Sequence, residues 1–319
     1  MAATVELGEA HERGRTGDAV ISVEGLRMEY GGRVAVDGID LSVQRGEIFA
    51  LLGPNGAGKT STVEILEGYR RRTGGRVRVL GQDPQTAGPA WRDRVGVVLQ
   101  SSTPEPELSV AETLRLYAGL HYRPLPVAEV MELVGLGPSA DVRNARLSGG
   151  QQRRLDFALA LIGDPDLVFL DEPTTGFDPG ARRAAWDVIA GLRQLGKTVL
   201  LTTHYLEEAE VLADRMAVMA GGRVVACGPP ALLGGRGEEP TELRFVTEPA
   251  IRPRLLPADI SRRADVQGTK LIVRSHDPLR DLHLVCGWLL DNGIAAHSVE
   301  VRRRSLEDIY LDLTGGGHR

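Results

Sequence analysis

The sequence contains no long apolar run and no excess of basic residues, and these two absences restrict its function. No apolar run approaches the ~18 residues that a membrane-spanning helix needs, so another chain would have to supply any membrane crossing. The net charge of −5 at pH 7 gives no basic surface of the kind that follows a phosphate backbone. We therefore expect no nucleic acid as a principal partner.

Cysteine is also scarce, and the chain has two, Cys227 and Cys286. They lie in unrelated segments and offer neither metal-ligand spacing nor a disulfide framework. Both are predicted to be reduced core thiols of a cytosolic protein. Residues 1–19 are polar and lack the apolar segment of a signal peptide, so they are predicted to form a disordered leader.

The hydropathy pattern predicts one large α/β domain followed by a small one. Between residues 20 and 230, short apolar runs alternate with helical patterns, which favours a mainly parallel sheet covered by helices. An antiparallel β subdomain is expected near the start of this domain, and a helical subdomain is expected at about residues 101–166. A cluster of glycine, proline and charged residues indicates a linker at 231–241. Residues 242–319 are predicted to form a small α+β domain.

The strongest motif follows an apolar run at residues 48–52. It fits the phosphate-binding pattern G-x-x-x-x-G-K-[ST], and its residues are Gly53, Pro54, Asn55, Gly56, Ala57, Gly58, Lys59, Thr60 and Ser61. Glycines let successive N–H groups point to one centre, and the following helix adds its positive end. In this pattern Lys59 reaches the β- and γ-phosphates and Thr60 holds Mg²⁺. The alternative is a glycine-rich turn in an ordinary strand-helix unit.

Two adjacent carboxylates, Asp171 and Glu172, end a second apolar run at residues 167–170. A strand end beside a phosphate loop is where a Mg²⁺-nucleotide binds. Asp171 is expected to orient Mg²⁺ through water. Glu172, directed to the other side by strand alternation, is expected to polarise the attacking water. Without the upstream phosphate loop, two exposed acids that begin a loop would be the better interpretation.

A serine and two glycines begin a third segment, whose residues are Leu147, Ser148, Gly149, Gly150 and Gln151. They precede a helix with an apolar face, which makes a second anion-binding helix terminus where small residues allow close approach. Because the first loop already holds the γ-phosphate, this terminus is predicted to serve a nucleotide bound mainly by a second copy or a related subunit. The alternative is an ordinary N-cap serine.

In their order along the chain, the motifs at 53–61, 147–151 and 167–172 resemble those of the nucleotide-binding subunits of ABC transporters, and the resemblance covers roughly residues 20–230. It implies a P-loop NTPase fold of the ABC type, ATP and Mg²⁺ as cofactors, and ATP hydrolysis. It also assigns roles to residues outside the motifs. Tyr30 stacks on adenine, Gln100 senses Mg²⁺ and the γ-phosphate, Asp178 belongs to the D-loop, and His204 is the switch histidine.

In the terms of that family, residues 53–61 are Walker A, residues 147–151 are the signature motif and residues 167–172 are Walker B. The implied catalytic residues are Glu172, His204 and Gln100, and the implied Mg²⁺ ligands are Thr60, Gln100 and Asp171. Phe177 departs from the pattern, because leucine is commoner at this D-loop position. This departure bears on the coupling between the two copies.

The segment at 305–315 is similar to the ending of ATPase subunits of daunorubicin-resistance-type exporters, which pair with separate ABC-2-type membrane permeases. It also fits an amphipathic terminal helix that docks by Leu306, Ile309 and Leu313. The resemblance implies a dimerising ATPase at the cytoplasmic face of the membrane that powers efflux of a drug or hydrophobic natural product. The alternatives are a soluble, non-transport ABC ATPase and an ATP-dependent regulatory module.

Overall fold

The computed structural model describes residues 19–98, 104–233, 240–251, 255–302 and 305–314. The chain divides into two compact units, Met1–Pro230 and Ala231–Arg319, which are called the first and the second unit below. Most of the predicted leader, most of the predicted linker and Gln100 lie outside the described residues.

A six-stranded sheet runs through the first unit. In sheet order, its strands are β5 (Val95–Val98), β6 (Leu167–Asp171), β7 (Thr198–Thr203), β3 (Ile48–Leu52), β8 (Arg215–Ala220) and β9 (Arg223–Gly228). The first five are parallel, and β9 returns antiparallel to β8. Strands β3 and β7 are buried along their whole length, as expected for strands covered on both faces. The predicted mainly parallel α/β sheet is therefore confirmed.

A three-stranded antiparallel sheet packs against the six-stranded sheet. Its strands are, in sheet order, β2 (Arg33–Gln44), β1 (Ala19–Tyr30) and β4 (Gly74–Val79). Apolar and polar residues alternate in β2, which buries Ile39, Leu41 and Val43. These side chains belong to the same apolar core as Phe49 and Leu51 of β3. One core therefore joins the two sheets.

Seven helices are described in the first unit: α1 (Lys59–Leu66), α2 (Pro89–Arg92), α3 (Val110–Ala118), α4 (Val127–Leu133), α5 (Gly149–Leu161), α6 (Pro179–Gln194) and α7 (Leu206–Leu212). Helix α3 begins at a capping box, in which Glu112 N–H donates to Ser109 Oγ (3.2 Å) and Ser109 N–H donates to Glu112 Oε2 (2.8 Å). Gly135 follows α4 with φ of 68°. This left-handed residue ends the helix.

The second unit contains a four-stranded antiparallel sheet with three helices. In sheet order, the strands are β11 (Ala264–Gln267), β12 (Lys270–Ser275), β10 (Thr241–Glu248) and β13 (Ala295–Arg302). The helices are α8 (Ala258–Ser261), α9 (Pro278–Asp291) and α10 (Leu306–Thr314). Helix α9 packs on β10 and β13. Its Val285 and Leu289 form a separate core with Leu243 and Phe245.

Two expectations differ from the structure. Cys227 is exposed instead of buried in the core, because it lies on the edge strand β9, where exposed and half-buried residues alternate. The short elements α2, α8 and β11 were not predicted, since four residues are too few to show a periodicity. Among the helices of the described ranges, none has both the length and the apolar character that a bilayer crossing needs.

Candidate nucleotide site

Three neighbouring strands, β6, β7 and β3, end at the same edge of the parallel sheet. Their register places Asp171 opposite Thr202 and Leu52 opposite Thr203. From these three ends the chain continues into Glu172, into His204 and into the phosphate loop. Motifs that are far apart in the sequence thus meet where ligands of parallel α/β folds bind.

The backbone of the phosphate loop requires glycine at specific positions. Gly56 and Gly58 have φ of 80° and 102°, in the left-handed region that favours glycine. A Cβ atom at Gly58 would lie 2.5 Å from the carbonyl oxygen of Ala35, and one at Gly53 would lie 2.5 Å from that of Met219. Backbone conformation and packing within the chain therefore require glycine at positions 53, 56 and 58, even without a ligand.

Lys59 begins α1 and folds back over the loop. It is 6% exposed, and its Nζ donates hydrogen bonds to the carbonyl oxygens of Gly53 (2.8 Å) and Pro54 (3.3 Å). Burial lowers the pKa of Lys59, and the carboxylates of Glu172 and Asp171 oppose this shift. An ammonium that bonds neutral carbonyl oxygens gains when it exchanges them for charged phosphate oxygens.

One threonine contacts both acidic residues at the end of β6, through the carboxylate of Asp171 and the backbone of Glu172. The Thr202 hydroxyl donates to Asp171 Oδ1 and accepts the Glu172 N–H at 3.0 Å. Glu172 has φ of 45° and lies beyond the last residue of the strand. A left-handed turn therefore sets the direction of its side chain, and not the strand alternation that the sequence predicted.

His204 follows β7 and meets Glu172 at the sheet edge. Its Nδ1 lies 3.3 Å from Glu172 Oε1, and the Thr175 hydroxyl donates to Glu172 Oε2 at 3.2 Å. The rings of His204 and Tyr205 also contact each other, with centroids 4.1 Å apart. Both oxygens of the Glu172 carboxylate are thus positioned by neighbours, which favours a role in orienting a water.

Glu67, at the end of α1, has a charge neighbour in the Walker B segment. Burial raises the pKa of Glu67 to about 8, and the charges of Asp171 and Glu64 add to the shift. A protonated Glu67 adds no negative charge next to Asp171.

A pocket of about 530 Å³ opens at the phosphate loop. This volume suits a small-molecule ligand, for which sites of roughly 300–1,000 Å³ are usual. The predicted site residues that line the pocket are Tyr30, Asn55, Gly56, Gly58, Lys59, Thr60, Ser61 and Glu172. The structure therefore brings the phosphate loop, the predicted adenine platform and one of the two carboxylates together.

Tyr30 lies at the end of β1 beside this loop. Its hydroxyl is 3.0 Å from Ser61 Oγ, and the Arg70 guanidinium lies 5.1 Å from the ring centroid. Arg70 is fixed in turn by Glu64, to which its Nε donates at 2.5 Å. The ring is thus held in place, and Tyr30 remains 37% exposed.

Ser148 and Gln151 form a reciprocal capping box at the start of α5. Gln151 N–H donates to Ser148 Oγ (3.3 Å), and Ser148 N–H donates to Gln151 Oε1 (2.9 Å). A Cβ atom at Gly149 or Gly150 would have no neighbour within 4 Å. The N-cap interpretation is therefore correct for Ser148, but nothing in the described part of this chain requires the two glycines.

The signature motif and the D-loop do not line the pocket of Lys59. Asp178 instead caps α6, because its Oδ1 accepts the N–H groups of Gly180 (2.8 Å) and Ala181 (2.9 Å). That the signature serves a nucleotide held by another copy stays a prediction. Gln100 lies outside the described residues.

A buried ionic cluster behind the site was not predicted from the sequence. Arg153 on α5 is 8% exposed. Its guanidinium donates to the carbonyl oxygens of Pro173 (3.2 Å) and Asp171 (3.5 Å). It also lies 3.6 Å from Asp156 Oδ2. Burial lowers the pKa of Arg153, and the charges of Asp156, Asp171 and Glu208 oppose this shift. The signature helix is therefore tied to the end of Walker B.

Glu208 on α7 extends the cluster to the helix that follows His204. It is fully buried and accepts hydrogen bonds from the Thr174 hydroxyl (2.8 Å) and the Trp186 indole N–H (3.1 Å). One signal was present in the sequence, since Arg153 precedes the buried Phe157 by four residues and so lies on the same helix face. An arginine on a buried face needs acidic or carbonyl partners.

Comparisons with known proteins agree with this geometry. The profile of the family described as ABC transporter matches residues 36–175. Nod factor export ATP-binding protein I of Ralstonia nicotianae is 38% identical over 305 residues, which cover 93% of this chain and 94% of that protein. Daunorubicin resistance ATP-binding protein DrrA3 of Streptomyces coeruleorubidus is 38% identical over 310 residues, 95% of this chain and 98% of that protein.

Solved structures resemble the first unit in fold. The structure of cbiO1 from Clostridium perfringens, described as part of the ABC transporter complex cbiONQ, has a TM-score of 0.60 at 27% identity. The match covers 67% of this chain and 90% of that one. The predicted ABC-type P-loop fold and ATPase activity are thus confirmed, and the chain belongs to the ATP-binding subunits of ABC transporters.

Proposed function

We propose that this subunit hydrolyses ATP between two copies and powers efflux of a drug or hydrophobic natural product through a separate ABC-2-type permease. One observation carries the proposal: the 38% identity with the daunorubicin resistance and Nod factor export proteins extends along almost the whole chain. It therefore includes the second unit, which lies beyond the residues matched by the family profile. The working location is the cytoplasmic face of the membrane, beside the permease.

ATP binds in the pocket of the phosphate loop. The backbone N–H groups of the loop, which Pro54 lacks, and the positive end of α1 hold the phosphates, and Lys59 exchanges its two carbonyl bonds for phosphate oxygens. Tyr30 stacks on the adenine, because its contacts with Ser61 and Arg70 keep the ring beside the loop. Gln100 retains the role that the resemblance implies, as a contact to Mg²⁺ and the γ-phosphate.

The residues at the sheet edge fit Mg²⁺. Thr60 and Asp171 offer a hydroxyl and a carboxylate, and hard oxygen donors of this kind suit the cation. The described residues contain no group of three His, Cys, Asp or Glu side chains that could hold a metal. Mg²⁺ commonly binds with one or two carboxylates, substrate phosphates and water instead. When bound, it neutralises phosphate charge.

Glu172 acts as the general base for hydrolysis. The oxygen of a water attacks the γ-phosphorus, the bond to the β–γ bridging oxygen breaks, ADP leaves, and the proton of the water passes to the Glu172 carboxylate. His204, 3.3 Å from Glu172 Oε1, holds this carboxylate in position. Two residues that follow different strands thus share one task.

The signature motif completes the site of the other copy. The helix N-terminus is formed by Ser148, Gly149, Gly150 and Gln151. Because the two glycines have no side chains that would block approach, this terminus suits a γ-phosphate. The D-loop with Asp178 precedes α6 and contributes to the same contact between copies. Each nucleotide is then enclosed by Walker A of one copy and the signature of the other.

An exposed apolar patch on the first unit suits the permease. It consists of Leu116, Tyr117, Leu120 and Tyr122, which are 53, 37, 75 and 87% exposed. The four residues lie within one turn of the end of α3, and clustered exposed apolar groups mark interaction surfaces. His121 Nδ1, 2.7 Å from Asp93 Oδ1, anchors this segment to the residues before β5.

Purification of the tagged chain from detergent-solubilised membranes of its source organism tests the proposal. We expect a polytopic membrane protein to be recovered with it in stoichiometric amounts. The double variant Leu120→Asp/Tyr122→Asp should reduce that recovery about ten-fold or more with unchanged ATP affinity. Leu195→Asp, at a 57% exposed position after α6, is the matched control and should keep the partner.

Recovery with soluble proteins alone would contradict the proposal and favour the non-transport alternative. The direction of transport has its own measurement. Cells that express the chain with its permease should accumulate less daunorubicin than cells that express Lys59→Ala with the same permease. Equal accumulation would contradict export of this class of compound.

A further inference from the structure

Strand β13 is unusual within the second unit, because it contributes no side chain to the core formed by the described residues. Seven of its eight residues are exposed, and Ser298 is half-buried. Its neighbour β10 alternates between buried and half-buried residues, and β12 buries every second residue. The core contains side chains from both of these strands.

One face of β13 nevertheless has apolar side chains, as the interior strands of this sheet do. Val299 and Val301 are 46% and 55% exposed, and they lie opposite Phe245 and Leu243 of β10, which are buried. The apolar face of the sheet therefore continues to its edge, where α9 packs on β13 and still leaves about half of each valine side chain exposed. Long apolar edge strands favour pairing with another chain, and proteins normally protect them.

The other edge of the same sheet is shorter. Strand β11 has four residues, Ala264–Gln267, and half-buried and exposed residues alternate along it. Strand β13 has eight residues, Ala295–Arg302. Of the two described edges, β13 therefore offers twice as many backbone groups and the larger apolar surface.

The charges on β13 show what would pair with it. On the face opposite to the valines, Glu300 lies across from Arg244 and Arg302 lies across from Glu242. Along β13 itself, Glu300 and Arg302 flank Val301, and Arg302 also forms an exposed ion pair with Asp308 of α10 (3.3 Å), which pairing with a second copy would have to exchange or share. An antiparallel second copy with Val301 facing Val301 would place Glu300 of each copy opposite Arg302 of the other.

We propose that β13 is a homodimerisation strand, which pairs antiparallel with β13 of a second copy and extends the sheet across a two-fold axis. A two-fold interface must be self-complementary, and Glu300-Val301-Arg302 is self-complementary in both charge and hydrophobicity. Opposite charges directly across two strands stabilise the pair, and like charges destabilise it. This assigns a role to the second unit that is independent of ATP hydrolysis.

Cysteine cross-linking of the full-length chain without nucleotide tests the pairing. In a background with Cys227→Ser and Cys286→Ser, we expect Val301→Cys to form a cross-linked dimer with a short bismaleimide. Opposite and diagonal positions of two paired strands lie within about 8 Å, so the reagent can reach either. The matched control is Val225→Cys. Val225 is 39% exposed and lies on β9, an edge strand of the six-stranded sheet.

A charge exchange makes the test specific for the register. In the Val301→Cys background, Glu300→Lys and Arg302→Glu should each lower homodimer cross-linking, because like charges then face each other. In a mixture of these two proteins, the introduced lysine of one copy faces the introduced glutamate of the other. The unchanged Arg302 of the first protein also meets the unchanged Glu300 of the second. Cross-linked heterodimer should therefore exceed both homodimers several-fold.

Two results would overturn the inference. One is equal cross-linking of Val301→Cys and Val225→Cys. The other is a mixture that cross-links no better than its components. Neither readout involves ATP or a permease, so failure of the proposed transport function would leave this test unaffected.

Discussion

The chain has two glycine-containing helix starts that suit phosphate, and they differ in what requires their glycines. In the phosphate loop, Gly58 has φ of 102°, and a Cβ atom there would lie 2.5 Å from a backbone oxygen. In the signature motif, Gly149 and Gly150 have open space around them. Packing within one chain therefore requires the glycines of the first site, whereas those of the second fit our proposal that a nucleotide held by another copy approaches there.

The difference separates stability from function. A substitution at Gly53 or Gly58 of the phosphate loop changes the folded state of the subunit, because backbone atoms already fill the space around them. A substitution in the signature motif leaves that packing unchanged and acts on the assembled site. The four predictions below test this separation.

The largest contrast is expected between Gly58→Ala and Gly149→Ala. Gly58→Ala should lower the free energy of unfolding by at least about 1–3 kcal/mol, the usual cost of a strained backbone, with the contact to Ala35 adding to it. Gly149→Ala should leave stability unchanged or raise it by about 0.4–1 kcal/mol and yet reduce ATP turnover at least about ten-fold. Denaturant unfolding and a steady-state ATPase assay measure the two effects. Equal destabilisation by both variants would remove the distinction.

The buried cluster should connect the two sites, and Arg153→Met tests this connection. Removal of the arginine takes away the cation that lies 3.6 Å from the buried carboxylate of Asp156, which costs about 3–5 kcal/mol. The double variant Arg153→Met/Asp156→Asn should regain most of that stability without regaining turnover, since the signature helix is no longer tied to Asp171 and Pro173. Arg154→Met, next to it on the less buried side of the helix, is the control. Full turnover in the double variant would show that the cluster is only structural.

The smallest effect is expected at Tyr30, where the proposed role is stacking. Tyr30→Ala should weaken ATP binding roughly ten-fold, since stacking on a base is worth about 1–3 kcal/mol. Tyr30→Trp keeps an aromatic face, and Tyr30→Phe loses only the hydroxyl contact with Ser61, so both should remain within about three-fold of the wild type. Calorimetric titration with ATP compares the four proteins. Identical affinities for all of them would place the adenine elsewhere.

Much of the site was predictable because its chemistry is local in sequence. The phosphate loop, the Asp171/Glu172 pair and the capped serine can each be recognised from a few consecutive residues. Apolar periodicity located the strands that precede the phosphate loop and the acidic pair. Three features were not predictable for physical reasons. The left-handed turn at Glu172 depends on its bonds to Thr202, the Arg153 cluster depends on three elements meeting in space, and the open space at Gly149 is visible only in three dimensions.

The most direct test of the shared site is the oligomeric state of Glu172→Gln with and without Mg·ATP. This variant keeps the size of the side chain and loses the basic oxygen, so ATP should bind and remain unhydrolysed. Size-exclusion chromatography should then show an ATP-dependent dimer, which Ser148→Arg should abolish by blocking the helix terminus. A Glu172→Gln protein that stays monomeric with ATP bound, or a dimer that persists with Ser148→Arg, would contradict a nucleotide site shared between two copies.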